Sequence, residues 1–300
     1  MGAALGRVLV SGVSGPIGAA LLPVLQERGY QITRLVRGAK SGADQITWAP
    51  GQPMRPQSVS GFDAVIHLAG ESVVGRWSAD KKRRILDSRV QGTRHLAEAL
   101  AEAPQRPQVL ISASATGFYG DRGDEVLTED SEPGTGFLPQ VCREWEAAAE
   151  PAEEVGIRTA QLRIGLVLSP AGGALQKMLT PFRMGVGGNL GNGRQWWSWI
   201  AAQDLASAIL HILRGSLAGA VNLVAPSPVS NAEFSKTLAG VLHRPAIFPM
   251  PAFIVRLAFG QMGDELLLAS QKVQPAKLAA SGFSFRHAEL TKALGDILKR

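Results

Sequence analysis

The chain of 300 residues contains a single cysteine, Cys142, and only two tyrosines, Tyr30 and Tyr119. One cysteine excludes an internal disulfide and a cysteine-rich metal site, and it is typical of a reducing compartment. The sequence has no apolar run near the roughly 20 residues of a membrane span, and its start lacks the apolar stretch of a signal peptide. These absences predict a cytoplasmic protein.

Apolar residues are abundant, at 45% of the sequence against 19% charged residues, which suffices for a globular core. The net charge of +6 is compatible with nucleic acid or with phosphate-bearing small molecules as partners. The densest basic cluster, Lys81 to Arg84, lies in a helical pattern without a zinc finger, recognition helix or RNA-stacking motif. The cluster therefore predicts a solvated helix face rather than a nucleic-acid patch.

Short apolar runs alternate with helical patterns through the first two thirds of the chain. The predicted strands are RVLVSG, QITRLVR, AVIHLAG, PQVLISASA, RTAQLRIGLVL and GAVNLVAP. The predicted helices between them are PIGAALLPVLQERG, ADKKRRILDSRVQGTRHLAEALAEA, CREWEAAAEPAEEVG and AAQDLASAILHILRG. This alternation indicates crossover units and a parallel sheet, so we predict an α/β fold.

After Pro226 the sequence pattern changes to short helical segments separated by prolines. We therefore predict a sheet domain formed by residues 1–168 and 200–225. A smaller, mostly helical lobe is predicted from residues 169–199, which are rich in loops, and 226–300.

The segment VLVSGVSGPIGAALL places Gly12, Gly15 and Gly18 in the pattern G-x-x-G-x-x-G, after a predicted strand and before a helix. Glycine permits a tight turn and lets the backbone approach a pyrophosphate. The helix N-terminus then points free N–H groups and the positive end of its dipole at the anion. The context predicts a dinucleotide-binding loop.

The end of the second strand indicates which dinucleotide binds. NAD-binding folds usually have an acidic residue about 20 residues after the glycines, which holds the ribose 2′-hydroxyl. Here Arg37 occupies that region, and no Asp or Glu occurs between Glu27 and Asp44. A guanidinium binds the 2′-phosphate that a carboxylate would repel, so NADP(H) is predicted, with help from Arg34. A solvated Arg37 at the strand end is the alternative.

Longer motifs resemble one family. G-x-x-G-x-x-G, HLAG (67–70) and SASATGFYGD (112–121) are similar to the extended short-chain dehydrogenase/reductase family of sugar-nucleotide epimerases and dehydratases. Further blocks resemble its atypical branch, the predicted nucleoside-diphosphate-sugar epimerases. They are LAGESVVGRW, FLPQVCREWEAAA, PFRMGVGGNLGNGRQWWSWI, NAEFSKTLAGVLHRP and GFSFRHAEL. The resemblance covers almost the whole chain and implies a Rossmann-type, doubly wound parallel sheet with a small C-terminal substrate lobe.

The resemblance also implies site residues. Those that would line the pyrophosphate are Gly12, Ser14, Gly15, Pro16, Ile17 and Gly18. Leu68, Ala69 and Gly70 would border the adenosine and its ribose, and Arg37 would meet the 2′-phosphate. Ser114 matches a serine that hydrogen-bonds the substrate near the nicotinamide, and it lies at a strand end, where ligands of such sheets bind. A simple turn residue is the alternative for Ser114.

The acid–base pair of the wider family is absent from this sequence. That family has Tyr-x-x-x-Lys at the start of the helix after the SASA strand, where lysine lowers the tyrosine pKa. Alignment on Glu146 puts Leu138 at the tyrosine position and Cys142 at the lysine position. No histidine lies near Cys142 in sequence to activate a thiolate, so a packed structural cysteine is predicted. Tyr119, in GFYGD, is then the predicted acid or base, with packing of the turn as the alternative.

A second departure lies in WWSWIAAQDL, where the family histidine is replaced by Ala201 while Asp204 remains. The five histidines show no metal-ligand spacing, so no metal site is predicted. Two functions stay open: an NADP(H)-dependent oxidoreductase or epimerase acting on a nucleotide sugar or similar polar metabolite, and an NADPH-binding sensor or scaffold without turnover. Possible substrate contacts, with lobe packing as the alternative, are Arg183, Arg194, Trp196 and Trp197.

Overall fold

The computed structural model describes residues 6–38 and 42–299. The prediction that the sequence starts without a signal peptide concerns a segment that lies partly outside the described residues. The strands are β1 (Arg7–Ser11), β2 (Gln31–Val36), β3 (Gln45–Thr47), β4 (Ala64–His67), β5 (Val109–Ala115), β6 (Val126–Leu127), β7 (Arg158–Ile164), β8 (Leu166–Leu168), β9 (Trp196–Trp197), β10 (Trp199–Ala201), β11 (Gly219–Leu223), β12 (Val229–Ser230) and β13 (Lys272–Val273). None of the helices in this part of the chain has the length and apolar character needed to cross a membrane.

The helices surround these strands. They are α1 (Pro16–Glu27), α2 (Ala79–Ala101), α3 (Phe137–Ala147), α4 (Glu150–Glu154), α5 (Ala174–Arg183), α6 (Ala202–Arg214), α7 (Asn231–Leu242), α8 (Ala252–Phe259), α9 (Ala276–Ala280) and α10 (Leu290–Leu298). Short 3-10 helices cover Pro56–Val59 and Thr116–Tyr119, and a π-helix covers Gly263–Leu268.

The central sheet of the described residues has seven strands in the order β11-β7-β5-β4-β1-β2-β3. Every neighbouring pair in it is parallel. The order reverses at β1, which has β2 on one side and β4 on the other. This reversal is the topological switch point beside which open α/β sheets bind ligands. The predicted Rossmann-type, doubly wound α/β sheet is confirmed.

Successive residues of β1 face opposite sides of the sheet, as the period of a strand requires. Val10 packs in a core with Leu21 of α1 and Ile209 of α6. Leu9, its neighbour in sequence, packs in a different core with Leu96 of α2. Helices therefore cover both faces of the sheet, and its buried strands read as continuous apolar runs.

A further hydrophobic core gathers residues from the insert and from the C-terminal part of the chain. Phe182 of α5, Trp199 of β10, Phe234 of α7 and Leu294 of α10 all belong to it. Leu278 of α9, although it lies between α7 and α10 in sequence, packs in the core of the central sheet. The division into two domains at the predicted boundaries remains a prediction.

The structure differs from the sequence prediction in several elements. Strand β3 was not expected, and α3 begins at Phe137 rather than Cys142. Pro151 ends the first helix because its ring clashes with the carbonyl four residues earlier, so α3 stops at Ala147 and α4 follows. The predicted strand RTAQLRIGLVL divides at Gly165, where a Cβ would lie only 2.4 Å from the Ser198 carbonyl oxygen. After this close approach, β8 leaves the sheet and pairs with β10.

Candidate functional site

The glycines of the phosphate loop have different roles. Gly12 has a φ of +72°, and a Cβ there would lie 2.5 Å from the Leu68 carbonyl carbon. A Cβ at Gly18 would lie 2.5 Å from the Cα of Val13, so both positions need glycine for packing within the protein. At Gly15, by contrast, the nearest atom to a Cβ would be the Gly12 carbonyl oxygen at 3.5 Å. The space beside Gly15 is therefore open to a ligand.

Helix α1 begins beside this space. Gly15 is its N-cap residue, no side chain caps its first turn, and Pro16 at its first position has no N–H group. The remaining free N–H groups and the positive end of the helix dipole favour an anion here. Ser14 is exposed next to the opening, whereas Ile17 packs against the core of the sheet. The loop fits a dinucleotide pyrophosphate.

A buried polar pair supports the loop from below. The hydroxyl of Ser11 lies 2.7 Å from Nδ1 of His67 and accepts a hydrogen bond from the backbone N–H of Leu68 at 3.1 Å. The His67 ring meets Trp48 edge-on, with 5.5 Å between the ring centroids. Burial lowers the pKa of His67 to about 4, so the ring is neutral at pH 7. The pair fixes the segment against which Gly12 packs.

Basic residues surround the other end of the predicted dinucleotide site. Arg37 is exposed after β2, while the Nη2 of Arg34 lies 2.6 Å from the carboxylate of Asp44. Lys81, predicted on a solvated face, instead donates a hydrogen bond of 2.8 Å to Glu71. This bond is the main reason why the pKa of Glu71 is lowered, and the charge of Arg37 adds to the effect. Arg34 is thus occupied, and Arg37 is exposed.

A cleft of about 330 Å³ lies alongside the loop. Its walls come from the start of α1, the segments after β5 and β7, helix α3 and the C-terminal part of the chain. Its lining, most of it apolar, includes Pro16, Val73, Arg89, Thr116, Leu138, Val141, Cys142, Trp145, Met178, Trp197, Glu265 and Leu267. The carboxyl ends of β5 and β7 therefore open onto a largely apolar chamber.

Ser114 and Tyr119 belong to a hydrogen-bonded set that we call the closed network: Ser114, Tyr119, Glu146, Arg163 and Asn222. Ser114 donates to Glu146 at 2.6 Å, and Arg163 binds both carboxylate oxygens of Glu146 at 3.0 and 2.9 Å. Arg163 also donates to the Tyr119 hydroxyl at 3.1 Å, and that hydroxyl donates to Asn222 at 2.7 Å. Each hydroxyl already has an internal partner.

Burial separates these two hydroxyls from the cleft. Ser114 is 3% exposed and Tyr119 0% exposed, and neither lines the cleft. Burial raises the pKa of Tyr119, and the charge of Arg163 works against this rise. The catalytic roles of Ser114 and Tyr119 remain predictions, and the geometry gives both residues a structural role.

Two family models match the parts of the chain that build this site. The model of the NAD-dependent epimerase/dehydratase family matches residues 8–223, which hold the phosphate loop and the central sheet. This chain belongs to that family. A domain of unknown function (DUF1731) matches residues 250–297, in the C-terminal part that contributes to the cleft wall.

Relatives within the family match almost the whole chain. Epimerase family protein Mb2239 of Mycobacterium bovis is 40% identical over 291 residues, which cover 96% of each chain. The crystal structure of human epimerase family protein SDR39U1 (isoform 2) with NADPH has a TM-score of 0.89 and 36% identity, covering 98% of this chain and 99% of that one. The crystal structure of the nucleoside-diphosphate sugar epimerase from Corynebacterium glutamicum has a TM-score of 0.82 and 38% identity, covering 98% and 58%.

In this member of the epimerase/dehydratase family, Leu138 and Cys142 both line the cleft. They lie on the first turns of α3, at the positions where the resemblance implies tyrosine and lysine. Burial raises the pKa of Cys142 to about 12, and the negative charge of Glu146 adds to the rise. The thiol is therefore neutral at pH 7, which agrees with the predicted structural cysteine.

The sequence analysis missed several polar residues of the cleft, among them Thr116 and Arg89. Thr116 begins the 3-10 helix after β5, and its hydroxyl has no hydrogen-bond partner within the described residues. Arg89 lies on α2, where the buried positions Ile85, Gly92 and Leu96 continue its stripe at helical spacing. An arginine within a buried stripe was the available signal, because isolated charges are rarely placed there.

Glu265 joins the C-terminal part of the chain to α3. It lies in the π-helix, and its carboxylate accepts the backbone N–H groups of Phe137 at 3.1 Å and Leu138 at 2.7 Å. Gln261 donates to the same carboxylate at 2.6 Å. A negative charge at the positive end of a helix is stabilising, which explains why α3 starts before the predicted residue.

Of the four residues of the insert that were predicted to contact a substrate, two line the cleft and two do not. Trp196 and Trp197 line the cleft, and the Nε1 of Trp196 donates to Asp124 at 2.7 Å. The Nε1 of Trp197 is buried and has no partner in the described ranges. Arg183 and Arg194 are exposed and do not line the cleft.

Asp204 has a structural role in this chain. Its carboxylate accepts the backbone N–H groups of Arg286 at 3.1 Å and His287 at 2.8 Å. Ala201, at the position where the resemblance implies a histidine, is buried in the core of the C-terminal part. Asp204 therefore holds the chain that leads into α10.

Proposed function

We propose that this chain binds NADP(H) and uses it as an oxidoreductase or epimerase on a small polar metabolite, in the first place a nucleotide sugar. The main observation in support of this proposal is the open space beside Gly15, next to the uncapped start of α1 and at the reversal of strand order. Such a site satisfies a pyrophosphate with backbone N–H groups and a helix dipole.

The choice of NADP(H) over NAD(H) depends on Arg37. It is exposed after β2, and Arg34 already pairs with Asp44, so Arg37 is the residue we assign to the 2′-phosphate. The human relative, whose crystal structure is with NADPH, supports the choice of NADP(H).

The cleft supports a small-molecule substrate. Its volume of about 330 Å³ is within the usual range for ligand pockets. The name of the Corynebacterium glutamicum relative supports a nucleoside-diphosphate sugar.

The chain's own groups would then divide the work of the reaction. Bound NADP(H) supplies hydride transfer at its nicotinamide. Thr116 faces the cleft with a free hydroxyl in the described structure, so it can orient a substrate oxygen without any rearrangement. The hydroxyls of Ser114 and Tyr119 contact a substrate only if the closed network opens.

A second function is favoured by the α3 wall of the cleft. Leu138 and Cys142 provide neither a phenol nor an ammonium group there, and the thiol is neutral. A protein of this kind can hold NADPH without turnover and act as a sensor or scaffold. The two functions share the dinucleotide site and differ only in whether a substrate reacts.

Fluorescence titrations with NADPH and NADH test the shared site. Wild type should prefer NADPH, and Arg37→Ala should lower NADPH affinity about ten- to a hundredfold, because a hydrogen-bonded charge contact is lost. NADH affinity should not change. Equal affinity of wild type for both cofactors would overturn the assignment of Arg37.

Gly15→Val is the matched test of the phosphate loop. The variant should fold, because the nearest atom to its Cβ is 3.5 Å away, yet it should bind neither cofactor. A folded variant with normal binding would put the dinucleotide elsewhere. Incubating wild type and NADP(H) with nucleotide sugars, followed by NMR, then separates an epimerase, which forms a new sugar, from a sensor.

A further inference from the structure

Apolar side chains are exposed around α8, in the C-terminal part of the chain. The set that we call the apolar patch consists of Met184, Val186, Ile247, Phe248, Met250, Phe253, Ile254 and Leu257. These eight are most of the eleven large apolar side chains that are exposed in the described structure. Single exposed apolar residues are normal on a protein surface, whereas a cluster of them marks a site of contact with a protein or a membrane.

Backbone hydrogen bonds hold the two segments of the patch that precede α8 side by side. The N–H of Phe248 donates to the Gly187 carbonyl at 3.3 Å, and the N–H of Met250 donates to the Asn189 carbonyl at 2.9 Å. Helix α8 follows directly, since its N-cap residue is Pro251. The apolar patch is therefore one continuous surface.

Helix α8 presents apolar side chains to solvent. Phe253 and Leu257 are four residues apart, so they lie on the same face of the helix, and they are 68% and 75% exposed. Val255, on the opposite face, is buried against the π-helix, where a Cβ at Gly263 would lie 3.0 Å from it. None of the side chains of the apolar patch lines the cleft. The patch is therefore separate from the candidate site.

The charged residues beside the patch are basic. Arg183 directly precedes Met184, and its carbonyl accepts a hydrogen bond of 3.1 Å from Nε of Arg244. This bond brings the two arginines together at the edge of the patch. Lys177 lies on α5, seven residues before Met184, and thus on the same side of that helix. All three basic residues are exposed.

No acid balances these charges. Neither arginine forms an ion pair within the part of the chain that the structure describes. The acidic residues between positions 170 and 260 are Asp204, which is buried, and Glu233, in the first turn of α7. Asp264 already pairs with Arg256 of α8. The surroundings of the patch therefore carry a net positive charge.

This charge selects the partner. In a symmetric contact between two copies of the chain, the same patch would face itself, so the arginines of both copies would meet without an acid. Like charges that face each other across an interface repel. An anionic lipid surface instead attracts them, and it accepts the apolar side chains at the boundary between headgroups and acyl chains.

We propose that the apolar patch inserts into anionic membrane surfaces, while Lys177, Arg183 and Arg244 contact the lipid headgroups. Phe253 and Leu257 enter the boundary between headgroups and acyl chains, with α8 lying along it. The binding is peripheral, because the eight residues of α8 are too few to cross a bilayer. It is a further function, independent of the proposed NADP(H) site.

Co-sedimentation with two kinds of vesicle tests this proposal without any cofactor. One kind contains only phosphatidylcholine, and the other is an equal mixture of phosphatidylcholine and phosphatidylglycerol. Wild type should bind the mixed vesicles at least about tenfold more tightly, because each basic residue near an anionic surface contributes about fivefold in affinity. Added salt should weaken this binding, since it screens exposed charges.

Two double variants separate the apolar part of the surface from the charged part. Phe253→Ser with Leu257→Ser should lower the affinity for mixed vesicles at least about tenfold. Val126→Ser, at a 52% exposed apolar residue outside the patch, should leave it unchanged. Arg183→Gln with Arg244→Gln should lower the same affinity about ten- to thirtyfold.

A control variant has the same net charge as the arginine double variant. Arg28→Gln with Arg106→Gln removes two exposed arginines that follow α1 and α2, and it should change the affinity less than about twofold. Thermal unfolding checks the folding of every variant. If the apolar double variant does not fold, the comparison of the two arginine double variants decides.

The results distinguish lipid binding from nonspecific attraction and from a second copy of the chain. Equal affinity for the two kinds of vesicle, no binding to either, or an equal loss in a variant and its control overturns the proposal. So does a dimer in lipid-free analytical ultracentrifugation that Phe253→Ser with Leu257→Ser dissociates, because a second copy would then cover the patch. The cofactor titrations remain a separate test of the proposed function.

Discussion

Arg163 and Arg89 both lie against helix α3, and they differ in what faces them. Each of the three guanidinium nitrogens of Arg163 donates a hydrogen bond, two of them to Glu146. Arg89 rests on Trp145 and uses only Nη1 within the described structure. The two neighbours on α3 are consecutive, so they point to different sides of the helix. One side completes an internal network and the other leaves a charge available for a ligand.

A residue at a catalytic position of the family therefore need not have a polar group that is free to contact a substrate. Ser114 and Tyr119 stand where the resemblance implies catalysis, yet their hydroxyls are used inside the closed network. Thr116 and Arg89 have no such prediction, yet they line the cleft with free polar atoms in the described structure.

The largest effect is expected from breaking the closed network. Arg163→Met leaves the Glu146 carboxylate buried without its cation, because the arginine side chain is only 6% exposed. The free energy of unfolding should fall by about 3–5 kcal/mol. Urea denaturation measures it. The control Arg256→Met removes an ion pair whose arginine is 58% exposed, so it should cost less than about 1 kcal/mol. Equal losses in the two variants would contradict the structural role of the network.

Lowering the pH should destabilise the folded protein through another buried polar pair, Ser11 and His67. The folded pKa of His67 is about 4 and the unfolded value is 6.5, so only the unfolded chain takes up this proton between these values. Stability at neutral pH is therefore lost as the pH falls from about 6.5 to 4, by about 3 kcal/mol in total. His67→Gln removes this titration, so its unfolding free energy should fall less over the same interval. Parallel pH curves for the two proteins would rule out a buried neutral His67.

Removing single hydroxyls compares the network with the cleft directly. Tyr119→Phe should lower the free energy of unfolding by about 1–3 kcal/mol, because Asn222 and Arg163 lose a buried partner. NADPH affinity should stay within about twofold, a change of under about 0.5 kcal/mol. Thr116→Val, at the cleft, should leave stability nearly unchanged. Intact stability with a large loss of turnover in Tyr119→Phe would instead support its predicted catalytic role.

The smallest effect is expected at Cys142. With a pKa of about 12, about one thiol in ten thousand is ionised at pH 8, so iodoacetamide should not modify the folded protein. Mass spectrometry should find the adduct only after unfolding. Cys142→Ser should cost about 1 kcal/mol of stability and leave NADPH affinity within a few-fold. Rapid alkylation of the native protein would show a reactive thiol and contradict the buried, neutral assignment.

The sheet and the phosphate loop were predictable because their signals are local. The strand–glycine–helix segment from Arg7 to Glu27 carries its own pattern, and the alternation of strands and helices implies parallel pairing. The different roles of the glycines were not predicted, because Gly12 packs against Leu68, which lies in a distant part of the sequence.

The closed network was not predictable, because its partners lie far apart in the chain. Tyr119 and Asn222 are separated by 103 positions, and a tyrosine at a strand end has the same sequence signature whether it faces a substrate or an amide. The start of α3 was missed for the same reason, since the carboxylate that caps Leu138 lies 127 positions away. The C-terminal boundaries and catalytic roles inferred from resemblance remain predictions.

The carboxylate of Glu265 couples the first turn of α3 to the position of the π-helix. If the π-helix moved away from α3, the N–H groups of Phe137 and Leu138 would exchange a charged acceptor for water. The first turn of the helix would then fray together with the wall that carries Leu138 and Cys142. Any ligand that binds only the closed cleft must therefore also slow amide hydrogen exchange at these two positions. Amide exchange at the start of α3 thus reports occupancy of the cleft.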